Sequence, residues 1–223
     1  MKPSLIIAID GPSGAGKGTL ARALAARLNY RHVDTGAMYR AVAWRALQGG
    51  LSLDDDAAVR RLAEVAHLSV EGGRVTIDGH DVTSAIRTPE IDQAAAAVAR
   101  LGGVREVLVG RQRRLGAAGG VVMEGRDIGT VVFPDADLKI YLDAQPHERA
   151  RRRADDPAHT GGRIGLAGVQ SDLEARDQTD ATRVVGPLAV APDAAYIDTT
   201  GLSVEATVDR VMQLVEQKVK EAV

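Results

Sequence analysis

Short runs of apolar residues predict buried β-strands at four points of the chain. Residues 5–9 read Leu-Ile-Ile-Ala-Ile and end at Asp10, and residues 121–123, 138–142 and 195–197 give three further runs. The first run is uninterrupted, which is typical of a strand that is buried on both faces, and the run at residues 138–142 contains one charged residue, Lys139. The four segments therefore predict the core of a parallel sheet.

Helical periodicity separates these strands. Leu20, Leu24 and Leu28 recur every four residues among alanines, which predicts a helix that ends near Leu28. A similar pattern over residues 204–219 predicts a final helix after the last strand. Strands that alternate with helices in this way indicate the α/β class, with a parallel sheet flanked by helices.

The middle of the chain follows a different pattern. Residues 68–82 alternate between apolar and polar positions, with interruptions at Gly72-Gly73 and Asp78-Gly79. Gly-Gly and Asp-Gly pairs between alternating segments predict the hairpins of a small antiparallel sheet.

Helical sequence runs from residue 89 to about residue 114 and is interrupted at Gly102-Gly103. Together with the hairpins, it predicts an inserted antiparallel β/helical subdomain over residues 60–105 within a single domain of residues 1–223. Residues 155–168 are rich in Gly, Asp and Arg, which predicts a mobile loop between two helices. We expect residues 146–180 to form a helical lid.

The segment after the first strand carries a phosphate-binding motif. Residues 11–19 read Gly-Pro-Ser-Gly-Ala-Gly-Lys-Gly-Thr, follow a strand and open a helix, which is the context that this motif requires. Glycines let backbone N–H groups converge on phosphate oxygens, and the helix N-terminus favours an anion. Lys17 brings positive charge to the β- and γ-phosphates, and Thr19 is a candidate Mg²⁺ ligand. The predicted triphosphate-binding residues are Gly11, Pro12, Ser13, Gly14, Ala15, Gly16, Lys17, Gly18 and Thr19.

Composition narrows the class of ligand. The 28 basic and 30 acidic residues give a net charge of −2, which provides no overall attraction to nucleic acid or to anionic membranes. The chain has no cysteine, and its apolar runs are too short to span a bilayer. We expect a cytoplasmic monomer that binds neither nucleic acid nor membrane.

Arginines near predicted strand ends indicate a second anion. An enzyme that joins two polyanions needs many cations, and the arginine fork binds phosphate through two hydrogen bonds. The run at residues 149–153 also fits a solvated helix face, which stays open as an alternative. The candidate arginines are Arg40, Arg105, Arg126, Arg149, Arg151, Arg152, Arg153, Arg163, Arg176 and Arg183.

Four stretches carry a resemblance to a known family. Residues 9–19, 34–40 and 124–136, together with the arginines and aspartates of residues 176–183, resemble the bacterial cytidylate kinases, which are P-loop nucleoside monophosphate kinases. The resemblance covers essentially the whole chain. It implies transfer of the γ-phosphoryl group of ATP, with Mg²⁺, to CMP and dCMP in pyrimidine nucleotide metabolism.

The resemblance also implies roles for individual residues. Lys17, Arg126 and Arg153 are the expected catalytic residues, and Arg153 reaches the transferred phosphoryl group from the lid. The remaining roles divide among the acceptor phosphate (Arg40, Arg126, Arg183), the cytosine base (Arg105, Asp127) and the sugar (Arg176, Asp180). The full expected substrate-binding set is Asp34, Thr35, Tyr39, Arg40, Arg105, Arg126, Asp127, Arg176, Asp180 and Arg183.

Cytosine recognition by a carboxylate has its own chemical logic. Asp127 can accept a hydrogen bond from the N4 amino group, whereas the uracil carbonyl at that position would repel it. Arg105 can donate to N3 or O2. Ala96 stands where the family carries a serine that helps to hold the base, so one expected hydrogen bond is absent.

The sequence also bears on alternative functions. A related P-loop kinase could act on UMP, dCMP or a small alcohol such as shikimate. A GTP-dependent switch would need an Asn-Lys-x-Asp element, but the single asparagine, Asn29, is followed by Tyr30. The five histidines show no metal-ligand spacing, so metal hydrolase chemistry has little support. Asp34 either orients the Mg²⁺ shell or an acceptor-side arginine, or caps a turn.

Overall fold

A computed structural model describes residues 4–156 and 165–221. In chain order the strands are β1 (Ile6–Asp10), β2 (Arg31–Asp34), β3 (Leu68–Glu71), β4 (Arg74–Ile77), β5 (His80–Asp81), β6 (Val121–Glu124), β7 (Leu138–Asp143) and β8 (Ala195–Asp198). The helices are α1 (Lys17–Leu28), α2 (Thr35–Gln48), α3 (Asp56–Val65), α4 (Pro89–Val98), α5 (Gly102–Gly116), α6 (Pro146–Ala154), α7 (Leu166–Thr182) and α8 (Val204–Glu221).

The large sheet is parallel and has the strand order β2-β6-β1-β7-β8. The central strand β1 pairs with β6 on one side, where Ile6 faces Val121, and with β7 on the other, where Ile7 faces Leu138. Ligands of such open sheets bind at the carboxyl ends of the strands, where the chain winds to opposite sides. The predicted α/β fold is confirmed, and the phosphate-binding motif lies at this edge.

Apolar layers on both faces of the sheet fix the position of β1. Ile7 and Ile9 are fully buried with Leu24 of α1 and Val211 of α8 on one face, and Met123 lies in the cluster on the other. Burial of each large aliphatic side chain contributes about 1.5–3 kcal/mol. The loop that follows β1 is therefore anchored to a rigid strand.

The predicted hairpins are also confirmed. Strands β3, β4 and β5 form a separate antiparallel sheet, and the two turns place Gly72, Gly73, Asp78 and Gly79 at positive φ. Ile77 is fully buried in a cluster with residues of α2 and α4. The small sheet therefore packs through its apolar side chains onto the helices that border the site.

The helical segment after residue 89 breaks earlier than the sequence predicted. α4 ends at Val98, and Gly102 begins α5 instead of interrupting a helix. The reason is a cap from a distant element: the Asp56 carboxylate accepts hydrogen bonds from Gly103 N at 3.0 Å and Val104 N at 3.3 Å. The proposed bounds of the insert, residues 60–105, fall inside α3 and α5.

The proposed lid includes α6 and α7. Residues 157–164 of the predicted loop, with Arg163 among them, lie outside the described residues. None of the helices in the described ranges combines the length and the apolarity that crossing a bilayer requires.

Candidate active site

The loop between β1 and α1 has the backbone that a phosphate cradle needs. Gly11, Gly14 and Gly16 have φ values of 145°, 79° and 93°, a region that L side chains rarely adopt. α1 begins at Lys17, and its N-cap, Gly16, provides no side-chain hydrogen bond. The N–H groups of the first turn can therefore bind an anion.

Lys17 is buried beside this loop. Its Nζ donates to Pro12 O at 2.6 Å. Burial, and next the charge of Arg126, lower the pKa of Lys17 to about 7. Burial and the neighbouring positive charge both disfavour the ammonium form of Lys17. A phosphate bound beside it would stabilise that form, so the pocket is electrostatically suited to an anion.

The arginine run of α6 divides into distinct roles. Arg149 is buried and donates from Nη1 to Ser13 O at 3.1 Å and from Nε to Ala144 O at 3.0 Å. It also pairs with Asp177, which accepts from Ser13 N at 3.2 Å. Arg149 therefore supports the phosphate loop through its buried contacts. Within residues 149–153, only Arg151 fits the alternative of a solvated helix face, because its side chain is 58% exposed.

One cavity of about 660 Å³ opens in front of the loop. Among the described residues it is lined by eleven basic and six acidic side chains, so its wall is strongly cationic. The volume lies in the range of small-molecule sites. The predicted site residues that line it are Ser13, Gly14, Ala15, Gly16, Lys17, Gly18, Thr19, Asp34, Thr35, Tyr39, Arg40, Arg105, Arg126, Asp127, Arg153, Arg176, Asp180 and Arg183, whereas Gly11 and Pro12 do not.

The arginines of the far wall are held by carboxylates. Arg126 Nε lies 2.8 Å from Asp180 Oδ2, and Arg183 lies 3.5 Å from Asp180 Oδ1 and 3.6 Å from Asp127 Oδ1. Although burial opposes it, these arginines together with Arg176 hold the pKa of Asp180 below its usual value. The wall is therefore a network of charged groups in fixed positions.

Arg105 and Asp127 form a buried ion pair in this network. Burial raises the pKa of Asp127, although Arg105 and Arg183 oppose that rise. The Arg105 guanidinium lies 5.7 Å from the centre of the Tyr39 ring. Among the described residues, Arg105 Nε, Arg176 Nε and Arg183 Nη2 are buried without a hydrogen-bond partner, so each is an unsatisfied donor within this network.

Asp34 has two of the roles that the sequence left open, since it caps a helix and contacts arginines of the cavity. Its Oδ1 accepts from Ala37 N at 2.9 Å and caps α2, and its Oδ2 lies 3.2 Å from Arg87 and 4.0 Å from Arg40. Burial opposes ionisation, but Arg40 and Arg87 lower the pKa of Asp34. Asp34 therefore caps its helix and orients cavity arginines with one carboxylate.

Asp10 positions the segment that carries Arg126 and Asp127. Its carboxylate accepts from Ile128 N at 2.8 Å and Gly129 N at 2.7 Å, at the start of a short π-helix over Ile128–Val132. Burial raises the pKa of Asp10 to about 6. The end of β1 thus anchors both the phosphate loop and the arginine-bearing turn.

Sequence reasoning missed several charged residues of the site, and three of them take part in its ion pairs. Arg87 and Glu124 line the cavity, and Asp92 pairs with Arg40 at 3.0 Å. Glu124 ends β6 and lies 2.9 Å from His32 Nε2. Its place at the carboxyl end of a strand was a signal, but only the sheet order shows that this strand borders β1.

The family model for cytidylate kinases matches residues 7–217. The chain belongs to the cytidylate kinase family. The resemblance inferred from the sequence is thereby confirmed, and the protein is a kinase, an enzyme that transfers phosphoryl groups.

Two relatives and one solved structure place the protein in this family and fold. A cytidylate kinase of Desulfitobacterium hafniense (strain Y51) is 49% identical over 99% of this chain and 96% of its own. That of Solibacter usitatus (strain Ellin6076) is 45% identical over 96% and 94%. A shikimate kinase structure from Bacteroides thetaiotaomicron superposes with a TM-score of 0.51 at 14% identity and covers 95% of this chain and 98% of its own, which concerns the fold alone.

Proposed function

We propose that the enzyme transfers the γ-phosphoryl group of ATP to CMP and to dCMP. One observation carries the proposal: a single cavity joins the phosphate loop to an arginine wall that contains the Arg105–Asp127 pair. The loop suits a triphosphate, and the wall suits a second, smaller anion with a polar base. Membership of the cytidylate kinase family supports this assignment of the acceptor.

The reaction needs positioning and charge more than proton transfer. A CMP phosphate oxygen, already ionised near neutral pH, attacks the γ-phosphorus in line, and the bond from that phosphorus to the β-phosphate oxygen breaks, leaving ADP. Lys17 holds the β- and γ-phosphates, and Arg40, Arg126 and Arg183 hold the acceptor phosphate. Arg153 stabilises the charge that spreads over the transferred group.

The base is read by the buried ion pair. Asp127 accepts from the cytosine amino group, and Arg105 donates to the ring acceptors. Ala95, Ala96 and Ala99 line the cavity with small side chains. Alanine at position 96 lacks the hydroxyl group of the expected serine, so Arg105 and Asp127 carry base selection.

Acceptance of dCMP follows from the state of Asp180. We assign Arg176 and Asp180 to the sugar, but Asp180 already binds Arg126 at 2.8 Å and lies 3.5 Å from Arg183. Loss of the 2′-hydroxyl group therefore leaves no buried carboxylate without a partner, and the cost of binding dCMP stays small.

Oxygen donors suited to Mg²⁺ lie beside the phosphate loop. Thr19 lines the cavity, and the Glu124 carboxylate packs against its neighbour Gly18, where an added Cβ would lie 3.2 Å from Glu124 Oε1. Hydroxyl and carboxylate oxygens are preferred Mg²⁺ ligands. Bound there with the nucleotide, Mg²⁺ would neutralise phosphate charge. The described residues hold no group of three or more acidic or histidine ligands, so the phosphates of the nucleotide would supply further ligands.

We further propose that residues 146–180 act as a lid and residues 60–105 as the acceptor-side insert. Closure of both over the substrates would exclude water and limit hydrolysis. We retain the sequence predictions that the enzyme is monomeric and cytoplasmic.

A substrate panel tests the proposal. ADP formation is followed with ATP and each of CMP, dCMP, UMP, AMP and shikimate. We expect CMP and dCMP to give the highest kcat/KM and UMP to be much weaker. A preference for AMP or shikimate would overturn the assignment of the acceptor.

A further inference from the structure

Asp92, in the first turn of α4, holds three cavity arginines with one carboxylate. Its Oδ1 lies 3.0 Å from Arg40 Nε and 3.5 Å from Arg176 Nη1, and its Oδ2 pairs with Arg153 Nη2. These arginines come from α2, α7 and α6, so four helices meet at this side chain. The Asp92 side chain is only 13% exposed, which makes the contacts stronger than surface ion pairs.

The same three arginines line the cavity, and the proposed function directs Arg40 and Arg153 at substrate phosphates and Arg176 at the acceptor sugar next to them. A guanidinium N–H that is bonded to Asp92 is not available to a phosphate oxygen. A buried guanidinium without any partner is costly, so some anion must neutralise it when the site holds no substrate. The Asp92 carboxylate contributes that charge to all three, and Asp34 adds to it at Arg40.

Arg176 lies close to other positively charged side chains, which disfavour its own charge. Burial, and next the charge of Arg126, lower the pKa of Arg176 to about 10, while Asp92 opposes this effect. Arg40 adds a further like charge. Removal of the Asp92 charge would leave this group of arginines with a stronger demand for an external anion.

We propose that Asp92 is an internal counter-ion that holds Arg40, Arg153 and Arg176 in the substrate-free enzyme and competes with phosphate groups for them. Asp92 thereby lowers the affinity of the site for anions and favours the release of products. The identity of the natural anion rests on the proposed function, but the competition applies to any phosphate compound. Asp92 is thus a positioning residue that acts through the arginines.

The variant Asp92→Asn keeps the shape of the side chain and removes its charge. Kd values for CMP and for inorganic pyrophosphate are measured by calorimetry with wild type and variant. We expect both Kd values to fall about tenfold, because a charge-assisted hydrogen bond no longer has to be exchanged. Asp209→Asn is the matched control, since it removes an exposed carboxylate that pairs with Arg27 at 2.6 Å; its Kd values should not change.

Unchanged or weaker binding of pyrophosphate by Asp92→Asn would overturn the inference, because Asp92 would then have no part in binding or would orient the arginines for the ligand. The pyrophosphate measurement remains informative even if CMP does not bind to wild type, an outcome that would count against the proposed function alone.

Thermal unfolding keeps the proposal testable if the variant is unstable. We expect Asp92→Asn to melt below wild type without ligand, because like charges lose their counter-ion. Pyrophosphate should then raise its Tm by more than it raises that of wild type. An equal loss of Tm with and without pyrophosphate would assign Asp92 a purely structural role and overturn the inference.

Discussion

Arg105 of α5 and Asp127, three residues beyond the end of β6, form an ion pair whose side chains are 2% and 8% exposed. Neither position predicts the pairing by itself, because 21 residues separate them in the chain. A Cβ on Gly186 would collide with both side chains, so the backbone of the segment after α7 closes against the pair. A buried polar pair of this kind can discriminate strongly between bases.

Asp127→Asn should narrow the preference for CMP over UMP by about tenfold, since an amide no longer repels the uracil carbonyl and accepts less strongly from the cytosine amino group. The measurement is the ratio of kcat/KM for the two nucleotides. Asp81→Asn, which removes an exposed carboxylate paired with Arg74 at 2.8 Å, is the control. An unchanged ratio in Asp127→Asn would mean that Asp127 does not read the base.

Lys17→Ala should reduce kcat by about 10²–10³-fold, because it removes a charge directed at the transferred phosphate. The variant should stay folded, since it deletes a charge whose burial is unfavourable. Turnover and circular dichroism are measured together. Lys218→Ala, at an exposed pair with Glu221, should leave turnover unchanged. Near-normal turnover of Lys17→Ala would remove the lysine from the proposed mechanism.

Binding of ATP should take up protons at pH 8. Lys17 has a pKa of about 7 without ligand and is mostly neutral at pH 8, but a phosphate beside it raises the pKa and favours the ammonium form. The uptake should approach about one proton, and ATP affinity should decrease as the pH rises above 7. Calorimetry in buffers of different ionisation enthalpy measures the proton count.

Lys17→Met provides the control for this linkage, because its side chain cannot titrate. We expect proton uptake to be lost in that variant. Equal uptake by the two proteins would assign the proton to another group, and net release by wild type would contradict the lowered pKa of Lys17.

Arg149→Met should destabilise the protein by about 3 kcal/mol, because it leaves the Asp177 carboxylate without its buried partner. It should also raise the KM for ATP, since Arg149 supports the loop through Ser13 O. The matched variant Arg151→Met, at an exposed position, should change stability by about 0.5 kcal/mol or less. Urea unfolding compares them, and equal losses would refute the division of roles within α6.

Local sequence was sufficient for some elements and not for others. The phosphate loop and the turns at Gly72-Gly73 and Asp78-Gly79 were predictable because glycines determine the backbone there. The start of α5 was not, since its cap comes from Asp56, nearly fifty positions earlier. The π-helical turn likewise depends on the distant Asp10.

In the site, too, local sequence predicted some residues, whereas others depend on tertiary packing. Sequence motifs located Lys17 and Arg126, but composition could not separate the buried Arg149 from the exposed Arg151, which lie two residues apart. Which residue of a charged run is buried depends on the direction of the helix face, and this is set by tertiary packing. Asp92 lies outside any motif. Its contacts with three arginines depend on the packing of four helices, which the sequence does not show.

The position of β1 in the centre of its sheet has a consequence for biosynthesis. Its hydrogen-bonding partners, β6 and β7, begin only at Val121 and Leu138, so this apolar strand leaves the ribosome long before either partner has been synthesised. Strand pairs with such a long sequence separation form slowly, and the unpaired strand edges favour aggregation until they form. Until Leu138 and the residues after it have been synthesised, the nascent chain therefore carries an apolar strand that lacks one or both of its neighbours in the sheet.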